Sequence, residues 1–185
     1  MEDRIAISCL KLGDLDGLEV LVNRYQAQAV QAAYLVIHDR ALAEDVAQAA
    51  FLKVAERIHQ FDEARPFAPW FFRIVVNDAL KLAKKRKLQV SLDEESDERT
   101  TQLAEWLADP DPRPEQLLEE KQRHGDILKA IQSLRPEQRA VIVMRYFLEM
   151  SEADMSASMD RPLSTIKWWL RDARESLRKL MNTSG

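Results

Sequence analysis

The chain contains little cysteine and little glycine. Cys9 is its single cysteine among 185 residues, which excludes an internal disulfide framework and a cysteine-rich zinc site. Only four glycines are present, which disfavours a glycine-rich loop that holds phosphates. No apolar run approaches the roughly 18 residues of a membrane-spanning helix, and the first residues lack the basic and apolar regions of a signal peptide. We therefore expect a cytoplasmic protein without membrane insertion.

The residues that are abundant favour helices. Hydrophobic residues make up 46% of the chain and charged residues 31%, which is typical of a soluble globular protein. Strong helix formers such as Ala, Leu, Glu, Lys, Gln and Arg are frequent. The composition predicts an all-α fold.

Charge divides the chain into three segments. The net charge is −4 in total, with +1 over residues 1–90, −9 over 91–120 and +4 over 121–185. The middle segment also carries Pro110, Pro112 and Pro114, and proline at this spacing blocks a helix while dense like charge resists compaction. We expect two small helical domains, 1–90 and 121–185, joined by a flexible acidic linker with a short helical piece around Trp106.

The first domain contains three predicted helices. Apolar residues recur at three- and four-residue steps over 14–37 and over 41–61, and a third helix begins near Pro69, a residue suited to the first helical turn. The face of the second helix opposite its apolar stripe has one leucine among polar residues: Asp45, Gln48, Leu52 and Glu56. An exposed leucine here is an ordinary surface residue or an anchor for a partner.

One face of the third helix combines an aromatic ring, an amide and several cations. These residues are Trp70, Arg73, Asn77, Lys81 and Lys84, and the helix ends on the basic run of residues 84–87. Such a face suits unstacked bases and a phosphate backbone. Two ordinary explanations stay open, because cations stabilise a helix C-terminus and Trp70 could pack in the core.

The last domain has the pattern of a helix-turn-helix. Apolar residues mark one helix before the breaking sequence Arg135-Pro136-Glu137 and another after it, and Ser151 begins a short third helix that a turn at residues 160–162 ends. From about Ser164 a final amphipathic helix is predicted to bury Ile166, Leu170, Ala173, Leu177 and Leu180. Its basic residues lie on a neighbouring face, which favours docking of this helix in a DNA major groove.

Two blocks of sequence resemble the extracytoplasmic-function sigma factors of RNA polymerase. Residues 43–51 (AEDVAQAAF), Phe61-Asp62 and residues 70–77 (WFFRIVVN) resemble region 2 of that family. Residues 151–177, which include PLSTIK at 162–167 and RDAR at 171–174, resemble region 4. The resemblance implies a subunit that binds core RNA polymerase, directs it to a promoter and helps to open the duplex there.

The resemblance also implies three sets of contacts. The exposed face of the second helix would bind the coiled coil of the polymerase β′ clamp through Asp45, Gln48, Leu52 and Glu56. The −10 element would be held by the loop at 62–69, which captures a flipped base, and by the third helix; the residues are Asp62, Arg65, Phe67, Trp70, Arg73, Asn77, Lys81, Lys84, Lys85, Arg86 and Lys87. The −35 element would be read by Ser164, Thr165, Lys167, Trp168, Arg171, Arg174 and Arg178.

Further partners follow from the same resemblance. Region 4 would bind the β flap of the polymerase, the acidic linker would lie in the RNA-exit path, and an anti-sigma factor would hold the protein inactive where one exists. No cofactor, metal ion or catalytic activity is implied, and His38, His59 and His124 show no metal-ligand spacing.

The chain departs from the family pattern at a few positions. Lys81 and Leu82 replace the usual Asp and Arg, Ser164 replaces a Gly, and Trp168-Trp169 replace a small and a basic residue. We expect Trp169 in the core and Trp168 at the groove, against a thymine methyl group or a sugar.

Two functions of other classes stay open from the sequence. A helical repressor would bind a palindromic operator as a symmetric dimer without polymerase. A protein-interaction adaptor would have lost DNA binding altogether.

Overall fold

The computed structural model describes residues 2–90 and 127–183, and both parts are built from helices. The first part contains α1 (Glu2–Lys11), α2 (Asp16–Ile37), α3 (Arg40–Arg57) with a short 3₁₀ turn Ile58–Gln60, and α4 (Phe67–Val90). The predicted linker at 91–120, including the helical piece around Trp106, lies outside the described residues. Within the described ranges no helix is long and apolar enough to cross a membrane.

The N-terminal domain packs α1, α3 and α4 around α2. Its core is aromatic and alanine-rich: Phe71 is fully buried and lies 4.6 Å from Phe51 between ring centroids. The small residues Ala29, Ala33 and Ala50 are also fully buried, which lets the helices approach closely. The apolar stripe predicted for α3 is confirmed, because Ala47, Ala50, Phe51, Val54, Ile58 and Phe61 are all buried.

The described part of the C-terminal domain, residues 127–183, contains four helices. The described part of α5 is residues 127–132; α6 (Pro136–Ile142) continues as one π-helical turn, Val143–Phe147, and is followed by α7 (Glu152–Met159) and α8 (Leu163–Thr183). The predicted helix-turn-helix is formed by α7 and α8. The Ser151 hydroxyl caps α7 by accepting a 3.1 Å bond from the Asp154 backbone N–H, and Asp160 ends it in the left-handed conformation at φ 50°.

The two domains contact one another through α2 and α4 on one side and α6 and α7 on the other. Lys84 forms a 2.9 Å ion pair with Glu137. The side-chain amide of Asn77 donates a 2.7 Å hydrogen bond to the Ser158 carbonyl. The described residues therefore form a closed arrangement in which part of α4 faces the C-terminal domain.

The structure adds one helix to those predicted and corrects the place of one core residue. The helix α1 was not predicted, although Ala6, Ile7 and Leu10 are buried at helical spacing. Leu180, expected in the core, is 39% exposed because it lies near the end of α8, beyond the residues that pack on α6 and α7. Trp169 is partly buried against the core, as expected.

Candidate partner and nucleic-acid interfaces

The polar face of α3 is open to solvent. Asp45, Gln48, Leu52 and Glu56 are all exposed, and Leu52 leaves 64% of its surface in water. The opposite side of the helix is fixed by the buried stripe, so this face is presented on a rigid support. A neighbouring groove of about 360 Å³ extends it onto α2 and is lined in part by Asn23, Gln26 and Gln48. The polar residues of α2 were not singled out from the sequence.

The loop before α4 is a self-contained turn. The Asp62 carboxylate accepts a 3.0 Å bond from the Ala64 backbone N–H, and the Asp62 carbonyl accepts a 3.0 Å bond from the Arg65 N–H. The Arg65 guanidinium lies 3.5 Å from the same carboxylate and its side chain is 81% exposed. The loop therefore presents one carboxylate and one cation to solvent.

Phe67 does not face solvent, which corrects its expected place in a DNA-contacting surface. It is 3% exposed and packs against Tyr25 and Phe61, with ring centroids 5.5 Å and 5.7 Å away. Trp70 is partly buried beside it, 5.0 Å from the Phe61 ring. These rings form the floor beneath the loop, so Phe67 can shape this surface only indirectly.

The cations of α4 fall into two groups. The exposed ones are Arg73, Lys81, Lys84, Lys85 and Lys87. Arg86 instead pairs at 3.2 Å with Asp39, whose carboxylate also caps the first turn of α3 by accepting from the Leu42 N–H. Arg86 thus ties α4 to the start of α3.

Asn77 and Lys84 lie against the C-terminal domain. Asn77 is bonded to Ser158 of α7 and Lys84 to Glu137 of α6. Burial would raise the pKa of Glu137, but the hydrogen bond and charge of Lys84, a backbone hydrogen bond and the charge of Arg135 together outweigh it and lower that pKa. Two of the predicted −10 residues are therefore occupied in the closed arrangement.

A partly exposed histidine with both ring nitrogens buried lies close to the same contact. His38 ends α2 in the left-handed conformation at φ 59°, and neither ring nitrogen finds a hydrogen-bond partner among the described residues. Burial lowers the pKa of His38 to about 3, and the nearby Arg139 guanidinium of α6 adds to this shift. Burial likewise lowers the pKa of Arg139 to about 10. The two residues are 101 positions apart, and no spacing in the sequence indicates that they form a pair.

The N-terminal half of α8 presents the predicted groove-reading residues. Ser164, Lys167, Trp168 and Arg171 are exposed and Thr165 is partly exposed. Trp168 is 46% exposed, and the Arg135 guanidinium lies over its ring, 5.5 Å from the centroid. The helix therefore offers an indole and two cations on one face.

Arg174 and Arg178 lie at the edge of an apolar groove instead. This cavity of about 560 Å³ is lined by Ile127, Ala130, Ile131, Ile142, Tyr146, Arg174, Leu177 and Arg178. Arg174 donates a 2.7 Å bond to the Tyr146 hydroxyl, which fixes both side chains at the rim. The groove combines an apolar floor with a cationic rim.

Comparison with known proteins gives matches to both domains. The family model for sigma-70 region 2 matches residues 21–89, and the model for sigma-70 region 4 matches residues 124–177. The extracytoplasmic-function sigma factor SigW of Bacillus subtilis is 31% identical over 94% of this chain and 93% of its own length.

Two solved structures resemble the fold. CnrH in complex with the cytosolic domain of CnrY has a TM-score of 0.66 at 22% identity, with all of both chains covered. RpoE in complex with the anti-sigma factor NepR from Bartonella quintana has a TM-score of 0.63 at 22% identity, covering 89% of this chain and 94% of that one.

Proposed function

Since the chain belongs to the sigma-70 family and is a promoter-directing sigma factor of the extracytoplasmic-function type, we propose that its two domains divide promoter recognition between them. The N-terminal domain binds core polymerase and the −10 element, and the C-terminal domain reads the −35 element and binds the flap. The observation that carries this division is the separation of two exposed cationic faces, one on α4 and one on α8.

The α3 face is the proposed site for the β′ clamp coiled coil. An apolar side chain as exposed as Leu52 is unfavourable in water but suits the centre of an interface with a polar rim. Asp45, Gln48 and Glu56 supply such a rim on the same side of the helix. The buried underside of α3 means that binding needs no rearrangement of the helix.

The loop at 62–66 and the exposed part of α4 form the proposed −10 surface. Asp62 and Arg65 offer an acceptor and a donor to the edge of a flipped base, and unstacking that base costs a few kcal/mol that such contacts offset. Trp70, Arg73 and Asn77 would flank the strand, and Lys81, Lys84, Lys85 and Lys87 would hold the upstream backbone. Phe67 supports the loop from below, and Arg86 contributes its charge from a fixed position beside Asp39.

The closed arrangement requires a further step in this function. In this arrangement the Asn77 amide is bonded to Ser158, and Lys84, whose side chain is 44% exposed, is paired with Glu137. Separation of the domains on core polymerase would therefore release part of the −10 surface.

The −35 element is read by the N-terminal half of α8. Lys167 and Arg171 neutralise phosphates or bind guanine, and Trp168 supplies an apolar contact for a thymine methyl group. Ser164 and Thr165 lie at the helix start, where backbone N–H groups also face the DNA.

The apolar groove of the C-terminal domain is the proposed site for the β flap. Its floor suits an amphipathic helix, and Arg174 and Arg178 at its rim suit acidic residues on that helix. These two arginines then contribute less to DNA binding than Lys167 and Arg171. A charge at Ile127, which is 41% exposed on this groove, should weaken flap binding, whereas a charge at the equally exposed Leu163 should not.

An anti-sigma factor is a further proposed partner. One structural neighbour is bound to an anti-sigma factor, and the surfaces proposed for polymerase are those such an inhibitor would have to cover. We propose that the protein acts in the cytoplasm, where RNA polymerase is found, without a cofactor or a catalytic activity of its own.

Transcription with reconstituted holoenzyme tests the function directly. Core polymerase and this protein should start RNA chains at defined genomic sites, and sequencing the 5′ ends should give a −10 and a −35 pattern. Core polymerase alone is the control. The absence of specific starts would contradict the proposal, while protection of a palindromic site without polymerase would favour the repressor.

A further inference from the structure

Arg135 is held between two residues of α8. Its guanidinium lies over the Trp168 ring at 5.5 Å from the centroid and forms a 2.6 Å bond with the Asp172 carboxylate. Trp168 and Asp172 are four residues apart, so they are neighbours on the same side of the helix. One arginine from outside the recognition helix therefore contacts both.

The position of Arg135 is itself fixed by α6. Its backbone N–H donates a 2.9 Å bond to the Gln138 side-chain carbonyl, and the Gln138 amide donates a 2.7 Å bond to the same oxygen of Asp172. Gln138 is 4% exposed, so this link is anchored in the core of the domain. Pro136 at the first position of α6 restricts the backbone further.

This arrangement has two consequences for the DNA-facing surface. A half-exposed indole has several rotamers, and a guanidinium stacked on one face restricts it to one orientation. The Asp172 carboxylate would repel phosphates if it were unpaired, and Arg135 neutralises it. Both effects act on the side of α8 that carries Trp168: the first fixes the orientation of the ring, and the second neutralises the charge beside it.

We propose that Arg135 is a positioning residue for −35 recognition. Its guanidinium holds the Trp168 indole against the DNA and neutralises Asp172. This inference rests on the proposed role of α8 at the −35 element and adds a residue outside that helix to its specificity. The guanidinium plane is what the role requires, because a lysine keeps the charge but cannot stack in the same way.

The test measures base preference with holoenzyme and a promoter library randomised in the −35 element. Arg135→Lys should reduce the preference at the positions that depend on Trp168 by about two- to fivefold, the range for an exposed cation–π contact. Arg145→Lys, an arginine of the same domain that bonds to the Met150 carbonyl, is the matched control. Melting temperature and core affinity are measured for both variants and should not change.

A double-mutant cycle separates positioning from a general structural effect. In the Trp168→Ala background, Arg135→Lys should cause no further change in base preference, because the ring that it positions is gone. The inference is overturned if Arg135→Lys changes base preference equally in both backgrounds. It is also overturned if Trp168→Ala alters preference but Arg135→Lys does not in the wild-type background. Either result leaves the sigma function intact. No specific transcript from the wild-type holoenzyme overturns both.

Discussion

The side-chain amide of Asn77 donates a 2.7 Å hydrogen bond to the backbone carbonyl of Ser158, and this bond joins the two domains. Asn77 lies on the helix face proposed for the −10 strand, while Ser158 lies on the supporting helix of the helix-turn-helix. The bond uses one of the two N–H groups of the amide, and a strand on this helix face would need the space that α7 takes beside Asn77. Promoter binding and domain closure therefore compete for one residue.

Weakening the closed arrangement should increase DNA binding by the free protein. Glu137→Gln removes the ion pair with Lys84 but keeps the size and helix propensity of the side chain. Affinity for a single-stranded −10 oligonucleotide should rise by about two- to fivefold, since a partly exposed ion pair contributes about 1 kcal/mol or less. Fluorescence anisotropy at low salt measures this affinity.

A control for this variant lies in the same domain. Glu175→Gln also removes one acidic charge, but Glu175 lies on α8 and pairs at 3.1 Å with Lys179 of the same helix. Equal increases for both variants would mean that net charge, and not closure, limits DNA binding.

Placing charge on the α3 face should weaken binding to core polymerase. Leu52→Glu introduces a carboxylate at the proposed centre of that interface, and loss of a central apolar anchor lowers affinity by about 30-fold or more. Leu12→Glu, at a leucine of the same domain that is 87% exposed, is the matched control. Both exposed substitutions should change the free energy of unfolding by no more than about 0.5 kcal/mol.

A pull-down on immobilised core polymerase measures this effect. The double variant with charged residues at Gln48 and Leu52 should bind more weakly still. If the Leu52 variants bind core as tightly as Leu12→Glu does, the α3 face is not the polymerase site.

The buried stripe of α3 could be predicted from the sequence because it depends only on helical spacing. The same is true of the cap at Ser151 and the stop at Asp160, which are local in the chain. The bond from Asn77 to Ser158 could not, since it joins residues 81 positions apart through packing that no periodic pattern describes.

Phe67 and Arg135 show a second limit. Phe67 lies at the start of α4, next to an irregular loop, so its burial depends on Tyr25 of another helix. Arg135 precedes Pro136, a pattern that indicates a break between helices. Only the folded domain places its guanidinium over the Trp168 ring. Both residues lie at the ends of helices, and their contacts are with neighbours that sequence spacing does not identify.

Acid should destabilise the fold through His38. The unfolded chain binds a proton at His38 below about pH 6.5, whereas burial keeps the folded-state pKa near 3, so protons favour the unfolded state between these values. This contribution to stability is complete above pH 6.5 and is lost as the pH falls, by at most about 1.4 kcal/mol per pH unit. Urea unfolding at several pH values measures it.

Two variants isolate the contribution of His38. His38→Asn removes the titrating ring, and Asn tolerates the left-handed backbone at this position; it should flatten the pH dependence. His59→Asn changes an exposed histidine and should behave as the wild type does. Parallel pH curves for the wild type and His38→Asn would contradict the prediction.

The packing of α1 on α2 depends on the absence of a side chain at Gly17. A Cβ there would lie 2.2 Å from the Ala6 carbonyl oxygen and 2.9 Å from the Leu10 backbone nitrogen, so α1 would have to shift. Gly17→Ala should lower the free energy of unfolding by about 1–3 kcal/mol, as overpacking does elsewhere. The sign of this change in the free energy of unfolding is diagnostic, because alanine is otherwise favoured over glycine within a helix by up to about 1 kcal/mol. Urea unfolding measures the change, and Gln26→Ala, an exposed substitution on the same helix, is the control. If the Gly17→Ala protein is as stable as this control, α1 is not held against α2.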